Sequence, residues 1–211
     1  MVGLRQKLSL GFGGLLLITL IIGGQSIFLF EELGQSIDVI LRENYRSVVA
    51  CQEMKEALER MDSGILFVLM GYDGEGETLI RTNEERFAKA LKVELGNITL
   101  PGEGEKAAAL QDLFSRYRTV LHGVMRAAPD RKTRLGRFFG EVQPLFQQAK
   151  DTADEILRMN QGNMNEANER ARRKAAFATQ RMILFLSFGF LIAVAFIFFT
   201  GRWILRPINR L

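Results

Sequence analysis

Few residues in this chain could do chemistry, and their types and spacing do not converge on a catalytic centre. His122 is the only histidine and Cys51 the only cysteine among 211 residues. A zinc site needs several imidazoles or thiolates, so none is expected. A Cys–His nucleophile pair would require the fold to bring two distant positions together, which spacing alone neither demands nor forbids. Gly71, Gly74 and Gly76 are not followed by a Lys-Ser/Thr pair, so they read as turn residues and not as a phosphate-cradling loop. No catalytic residue is assigned, and neither a metal nor a cofactor is expected in this chain.

The informative polar residues are those that interrupt an apolar seam. Ile37, Ile40, Asn44, Ser47, Cys51, Met54, Leu58, Met61, Ile65 and Val68 recur at alternating spacings of three and four, the packed face of a long helix. One reading of Asn44 and Ser47 is register, since a buried Asn costs stability but fixes pairing. The other is a ligand site: Arg42, Asn44, Tyr45 and Arg46 from two chains could line a cavity for an anion or small polar ligand. Arg42 and Arg46 lie one turn apart and would double the positive charge. Cys51 is either a small buried hydrophobe or a bridge between two chains.

A second polar stretch comprises Asn160, Gln161, Gly162, Asn163, Asn165 and Asn168, followed by a basic run from Arg170 to Lys174. Here large side chains give way to Ala and Asn, so less apolar area is buried per turn and local stability should be low. Asn160, Met164, Ala167 and Ala171 therefore mark either a joint that shifts between two packings or a solvated helix tethered by its neighbours.

The elements that must position these residues are set by two apolar stretches, residues 8–30 and 182–201, read as transmembrane helices over 8–30 and 182–203. Each meets the roughly 17–25 residues a helix needs to cross a bilayer. All 24 acidic residues lie between Glu31 and Glu169, whereas the flanks carry Arg5 and Lys7 at one end and Arg202, Arg206 and Arg210 at the other. Basic flanks favour the cytoplasm. Residues 1–7 and 204–211 are thus expected inside and residues 31–181 outside. The cluster Arg170, Arg172, Arg173, Lys174 and Arg181 argues the other way, but it belongs to a long segment in which such charges weigh less. The first stretch is too long for a signal peptide and lacks a small-residue cleavage site, so it reads as a retained anchor.

Between the stretches the vocabulary is that of helix formers. Breakers at 71–76, 101–104 and 129–130 divide the region into four segments. The first helix is expected to run unbroken from about 31 to 70, followed by shorter helices over 77–98 and 105–127. The fourth starts at Pro144 and continues into the second stretch, preceded by a short helix or kinked at the proline. Helices 1 and 4 match at about 57–60 Å. The expected fold class is all-α, two transmembrane helices bracketing an extracytoplasmic antiparallel four-helix bundle with long helices 1 and 4. Nearest the membrane only two helices remain to cover the seam, and a homodimer would supply the missing two.

This order of parts resembles the input half of bacterial membrane-bound sensor histidine kinases and, more distantly, chemoreceptors. Glu43-Asn44-Tyr45-Arg46-Ser47-Val48, running into Met54-Lys55-Glu56-Ala57-Leu58-Glu59-Arg60-Met61-Asp62-Ser63, is similar to the first sensor helix of such kinases. Pro144-Leu145-Phe146 and Ile156-Leu157-Arg158-Met159-Asn160 are similar to the last. Ile204-Leu205-Arg206-Pro207-Ile208 resembles the opening of a HAMP linker, with Pro207 starting its first helix. The resemblance implies a signal input module in the bacterial cytoplasmic membrane, with residues 31–181 periplasmic or extracellular. It implies a second copy of the chain, the lipid bilayer, and a small extracytoplasmic ligand or periplasmic protein as partners, and no nucleic acid. A response regulator, ATP and Mg are implied only through a kinase region beyond Leu211. The ligand-sensing part of a methyl-accepting chemoreceptor, or a non-signalling dimeric adaptor, would share the same architecture.

Overall fold

The computed structural model describes residues 4–39, 43–127 and 130–200, and between its turns every described residue is helical. Six α-helices follow in order: α1 (Leu4–Val39), α2 (Tyr45–Met70), α3 (Asp73–Leu95), α4 (Glu103–Ala127), α5 (Arg131–Arg137) and α6 (Gln143–Thr200). A π-helical segment, Phe138–Val142, joins α5 to α6. The chain divides into an interior unit, Asp38–Ala167, and a terminal unit that combines Met1–Ile37 with Asn168–Leu211.

The terminal unit pairs the two apolar stretches. Gly11–Gln35 has a mean hydropathy of 2.0 and the apolar part of α6 one of 2.8, and almost none of either is buried by protein. These are two candidate membrane-spanning helices. Phe12 meets Phe196 edge-on at 5.8 Å, Gly189 lies against Ile18, Ser26 reaches Met182, and Glu32 is ion-paired with Lys174. Rising numbers on α1 meet falling numbers on α6, so the pair is antiparallel. Glycine matters at the contact: a Cβ on Gly11 would sit 2.3 Å from the Phe196 ring. Small residues that let helices approach closely are a common device between membrane helices.

In the interior unit the apolar seams meet in one core. Met54, Leu58, Met61 and Ile65 from α2, Ile80, Phe87 and Leu91 from α3, Leu110, Tyr117 and Leu121 from α4, and Ala149, Ala153 and Ile156 from α6 are all buried. Phe87 and Phe114 stack at 3.7 Å between centroids. Ion pairs frame the core. Arg86 of α3 bonds Glu53 of α2 at 2.7 Å, Glu84 of α3 meets His122 of α4, and α6 answers α2 through Lys55–Asp154 and α4 through Lys106–Glu155. α2 ends because Gly71 adopts φ 96°, letting the Gly71 and Tyr72 N–H groups close on the Val68 and Phe67 carbonyls. α2 and α3 then touch backbone to backbone, since a Cβ on Gly76 would lie 2.5 Å from the Gly64 carbonyl oxygen.

Two expectations need correction, the helix count of the core and the place of Ile37 in the seam. Among the described residues the core has three helices of its own, α2, α3 and α4, not four. The fourth side is supplied by the first part of α6, and Pro144 and Gly162 leave that helix continuous to Thr200. Pro144 directly follows the π-helical segment Phe138–Val142, where the wider turn accommodates a residue that cannot donate an N–H. The first helix, expected unbroken from 31 to 70, is described as α1 and α2, with residues 40–42 outside the described residues and π-type hydrogen bonding at 43–44 ahead of Tyr45. Correspondingly Ile37 is 56% exposed and not part of the seam, while Ile40 lies outside the described residues. Before Pro144 the helical turns of α5, capped by the Asp130 carboxylate on the Thr133 N–H at 2.9 Å, run through the π-helical segment into α6 and do not form a separate helix.

Candidate functional site

The seams do not stay apolar along their whole length. On α2 the inward spacing that places Cys51 and Met54 in the core reaches back to Ser47 and Asn44, both buried. On α3 the spacing Phe87, Leu91 continues to Glu94, and on α4 Leu110, Ala107 continues back to Glu103. On α6, Ala153 and Ile156 lead to Asn160. Glu94, Glu103 and Asn160 are each 0% exposed. The four helices therefore bring a polar cluster together at the end of the interior unit where the chain enters and leaves it.

Hydrogen bonds tie the cluster across elements. Glu103 Oε2 accepts from the Thr99 N–H at 2.7 Å and the Leu100 N–H at 2.9 Å, and its Oε1 accepts from Asn160 Nδ2 at 2.6 Å. One carboxylate thus closes the turn between α3 and α4 and holds α6 to it. Asn97 Nδ2 donates to the Glu43 carbonyl at 2.6 Å and to Ser47 Oγ at 2.9 Å, fastening the same turn to α2. Asn163 Nδ2 donates to Asn44 Oδ1 at 3.1 Å. Four buried atoms remain without partners: Asn44 Nδ2, Asn160 Oδ1 and both carboxyl oxygens of Glu94. Each orphaned polar group costs about 1–3 kcal/mol, so this end is held less firmly than its packing suggests.

Burial pushes Glu94 up to about 7; the Ser47 hydroxyl opposes that rise and the neighbouring Glu103 carboxylate adds to it. Cys51 lies fully buried beside this cluster, and burial holds its thiol well above the ordinary range. That favours a small packed side chain over a redox or bridging group.

The residues singled out from sequence fall into different surroundings. Asn44 belongs to the buried cluster, whereas Tyr45, 52% exposed, and Arg46 line an open groove between α2 and α3 with Val49, Glu53, Arg86 and Val93. Arg42 lies outside the described residues. Asn160 is a hub of the cluster. Met164 and Ala167 are half-buried one and two turns further on, Ala171 is half-buried in the terminal unit, and Pro207 lies outside the described residues. Sequence reasoning missed Glu94, Asn97 and Glu103. A signal was present for the two carboxylates, because carrying the apolar spacing of α3 and α4 toward Pro101 lands on Glu94 and Glu103, whereas Asn97 lies in the turn between them. His122 is half-buried with Nε2 2.7 Å from Glu84 Oε1. Among the described residues no group of three or more His, Cys, Asp or Glu side chains could hold a metal ion.

No family model, curated protein or solved structure matches this chain. The all-α fold with two long apolar helices is consistent with a membrane-associated helical module.

Proposed function

We propose that the chain is the transmembrane input module of a two-component sensor histidine kinase, with residues 31–181 outside the cytoplasm and the module acting as a homodimer. The observation that carries this reading is α6. One helix of 58 residues holds Asn160 in the buried polar cluster and continues without a break through the apolar stretch. A continuous helix transmits displacement along its axis, provided one end has two available packings. The polar cluster supplies such an end, because four unpartnered polar atoms leave alternative hydrogen-bond arrangements close in energy. Antiparallel pairing of the apolar stretches puts Leu4 of α1 and Thr200 of α6 toward the same end of the pair, which supports a relay to a cytoplasmic HAMP and kinase region. A cue outside, whether a small ligand or a periplasmic protein, would bias α6 relative to α1, and the absent kinase region would pass the result to a response regulator using ATP and Mg.

Two measurements test it. In a Cys51→Ala background, Ser63→Cys in intact cells should react with a membrane-impermeant maleimide; labelling only after lysis would refute the topology. Single cysteines at Met164, Ala167 and Ala171 should cross-link between copies at rates that change when the output state changes. Identical rates in both states would refute transmission through α6.

A further inference from the structure

Glu94 and Glu103 flank the turn between α3 and α4, and both side chains are fully buried. Their circumstances are opposite. Glu103 is satisfied by three N–H donors, whereas neither oxygen of Glu94 accepts a well-formed hydrogen bond, and the Ser47 hydroxyl is the neutral donor that acts on it. A buried carboxylate in that position is strongly disfavoured, and the group escapes by taking up a proton. The groups that face it supply no countercharge: Ser47 and Cys51 come from α2 and Glu103 from α4, while Lys55 of α2 and Asp154 of α6, which act on Cys51, are ion-paired with each other.

We infer that Glu94 is a proton-binding site, and that the proton is the ligand of the buried polar cluster. This rests on the reading of the cluster as the movable end of α6. The protonated carboxyl is neutral and can donate its O–H to the Glu103 carboxylate or the Ser47 hydroxyl. Deprotonation releases the proton to solvent and leaves a second negative charge beside Glu103. The repulsion falls on the contacts of Glu103, and the one that belongs to α6 is Asn160. Loss of the proton therefore loosens α4 from α6. The titration lies near neutrality, within the range an extracytoplasmic compartment experiences.

The test uses the full chain in phospholipid nanodiscs with 13C-labelled glutamate, followed by infrared difference spectroscopy from acid to alkaline pH. A protonated carboxyl band should disappear with a midpoint near 7, be missing in Glu94→Gln, and move to lower pH in Glu103→Gln, which removes the neighbouring charge. In parallel, the melting temperature should fall by roughly 5–10 °C between pH 5 and pH 8 in the unaltered chain and stay level in Glu94→Gln. Glu94→Met, which carries no titrating group, should behave as Glu94→Gln does and serves if the amide misfolds. The same band and midpoint in either variant, or a midpoint in the ordinary carboxylate range, would overturn the proton site. Cross-linking along α6 separates the two ideas. A titrating Glu94 with cross-linking blind to every change of output sinks only the transmission reading, whereas a moving α6 with no titrating Glu94 sinks only the proton site.

Discussion

The interior unit has two unlike ends. From the Phe87–Phe114 stack to the π-helical segment, Tyr117, Leu121, Val124, Phe138 and Val142 fill the space between helices. At the other end Asn44, Ser47, Glu94, Asn97, Glu103 and Asn160 occupy the same kind of inward position. The first end gains free energy with every apolar group it removes from water. The second gains much less per turn, yet it specifies which hydrogen bonds must form. The division teaches where stability and adaptability reside: one end holds the helices together, and the other can rearrange without unfolding the whole. The apolar end has polar exceptions in the Tyr117 hydroxyl and Asp62 Oδ1, both buried without partners. Burial pushes Asp62 upward, with Lys150 opposing the rise.

The comparison can be broken most forcefully at the stack. Phe87→Ala should cost about 3–5 kcal/mol, the toll of a large cavity in a packed core, and chemical denaturation followed by circular dichroism would read it as loss of the whole unit. A small effect there would mean that the apolar end is not the anchor.

The polar end should respond to pH in the opposite sense to most carboxylates. Because the folded pKa of Glu94, about 7, is raised above the ordinary value of 4.5, the folded state binds the proton more tightly than the unfolded one. Its contribution is fully present below pH 4.5 and is lost as pH rises toward 7. The loss amounts to about 3 kcal/mol. Denaturation midpoints of the unaltered chain and Glu94→Gln measured across that window should converge at low pH only if the glutamine tolerates the neutral arrangement. The decisive outcome is a flat profile in the variant.

Gly76→Ala probes the joint between α2 and α3 at the apolar end. The new Cβ would press on the Gly64 carbonyl, which is backbone and cannot rotate away. Separation of the helices should cost about 1–3 kcal/mol, visible as a lower denaturation midpoint with an unchanged slope. The smallest expected effect is a gain. Gly162 lies in the exposed interior of α6 with open space around its missing Cβ. Gly162→Ala should therefore stabilise the helix by about 0.5–1 kcal/mol. Slower amide exchange confined to residues near 162 would show that this stretch is limited by helix propensity, and unchanged exchange would show that its neighbours already hold it.

Much of this architecture was legible beforehand because helices announce themselves locally. Apolar spacing located α3 and α4 to within a few residues, Gly71 marked a true terminus, and the inward placement of Asn44 and Ser47 followed from the same period, whereas on α6 the period favoured Met159 and it is the neighbouring Asn160 that is buried. The period was less informative where it crossed residues 37–44, since π-type bonding at 43–44 changes the number of residues per turn and with it the face presented. It also treated Asn44, Tyr45 and Arg46 as one group. In the helix, Asn44 turns inward while Tyr45 and Arg46 face the groove between α2 and α3.

Length, apolar run and charge distribution determined from the sequence alone that this chain is helical and carries two stretches fit for a bilayer, because those properties depend on neighbours within a turn or two. The meeting of Glu94 with Glu103, and of Glu103 with Asn160, was decided only by tertiary structure. Each residue sits correctly on its own helix, but their encounter depends on the relative height of α3, α4 and α6. That height is set by the turn that Glu103 itself caps and by the core that packs beyond it.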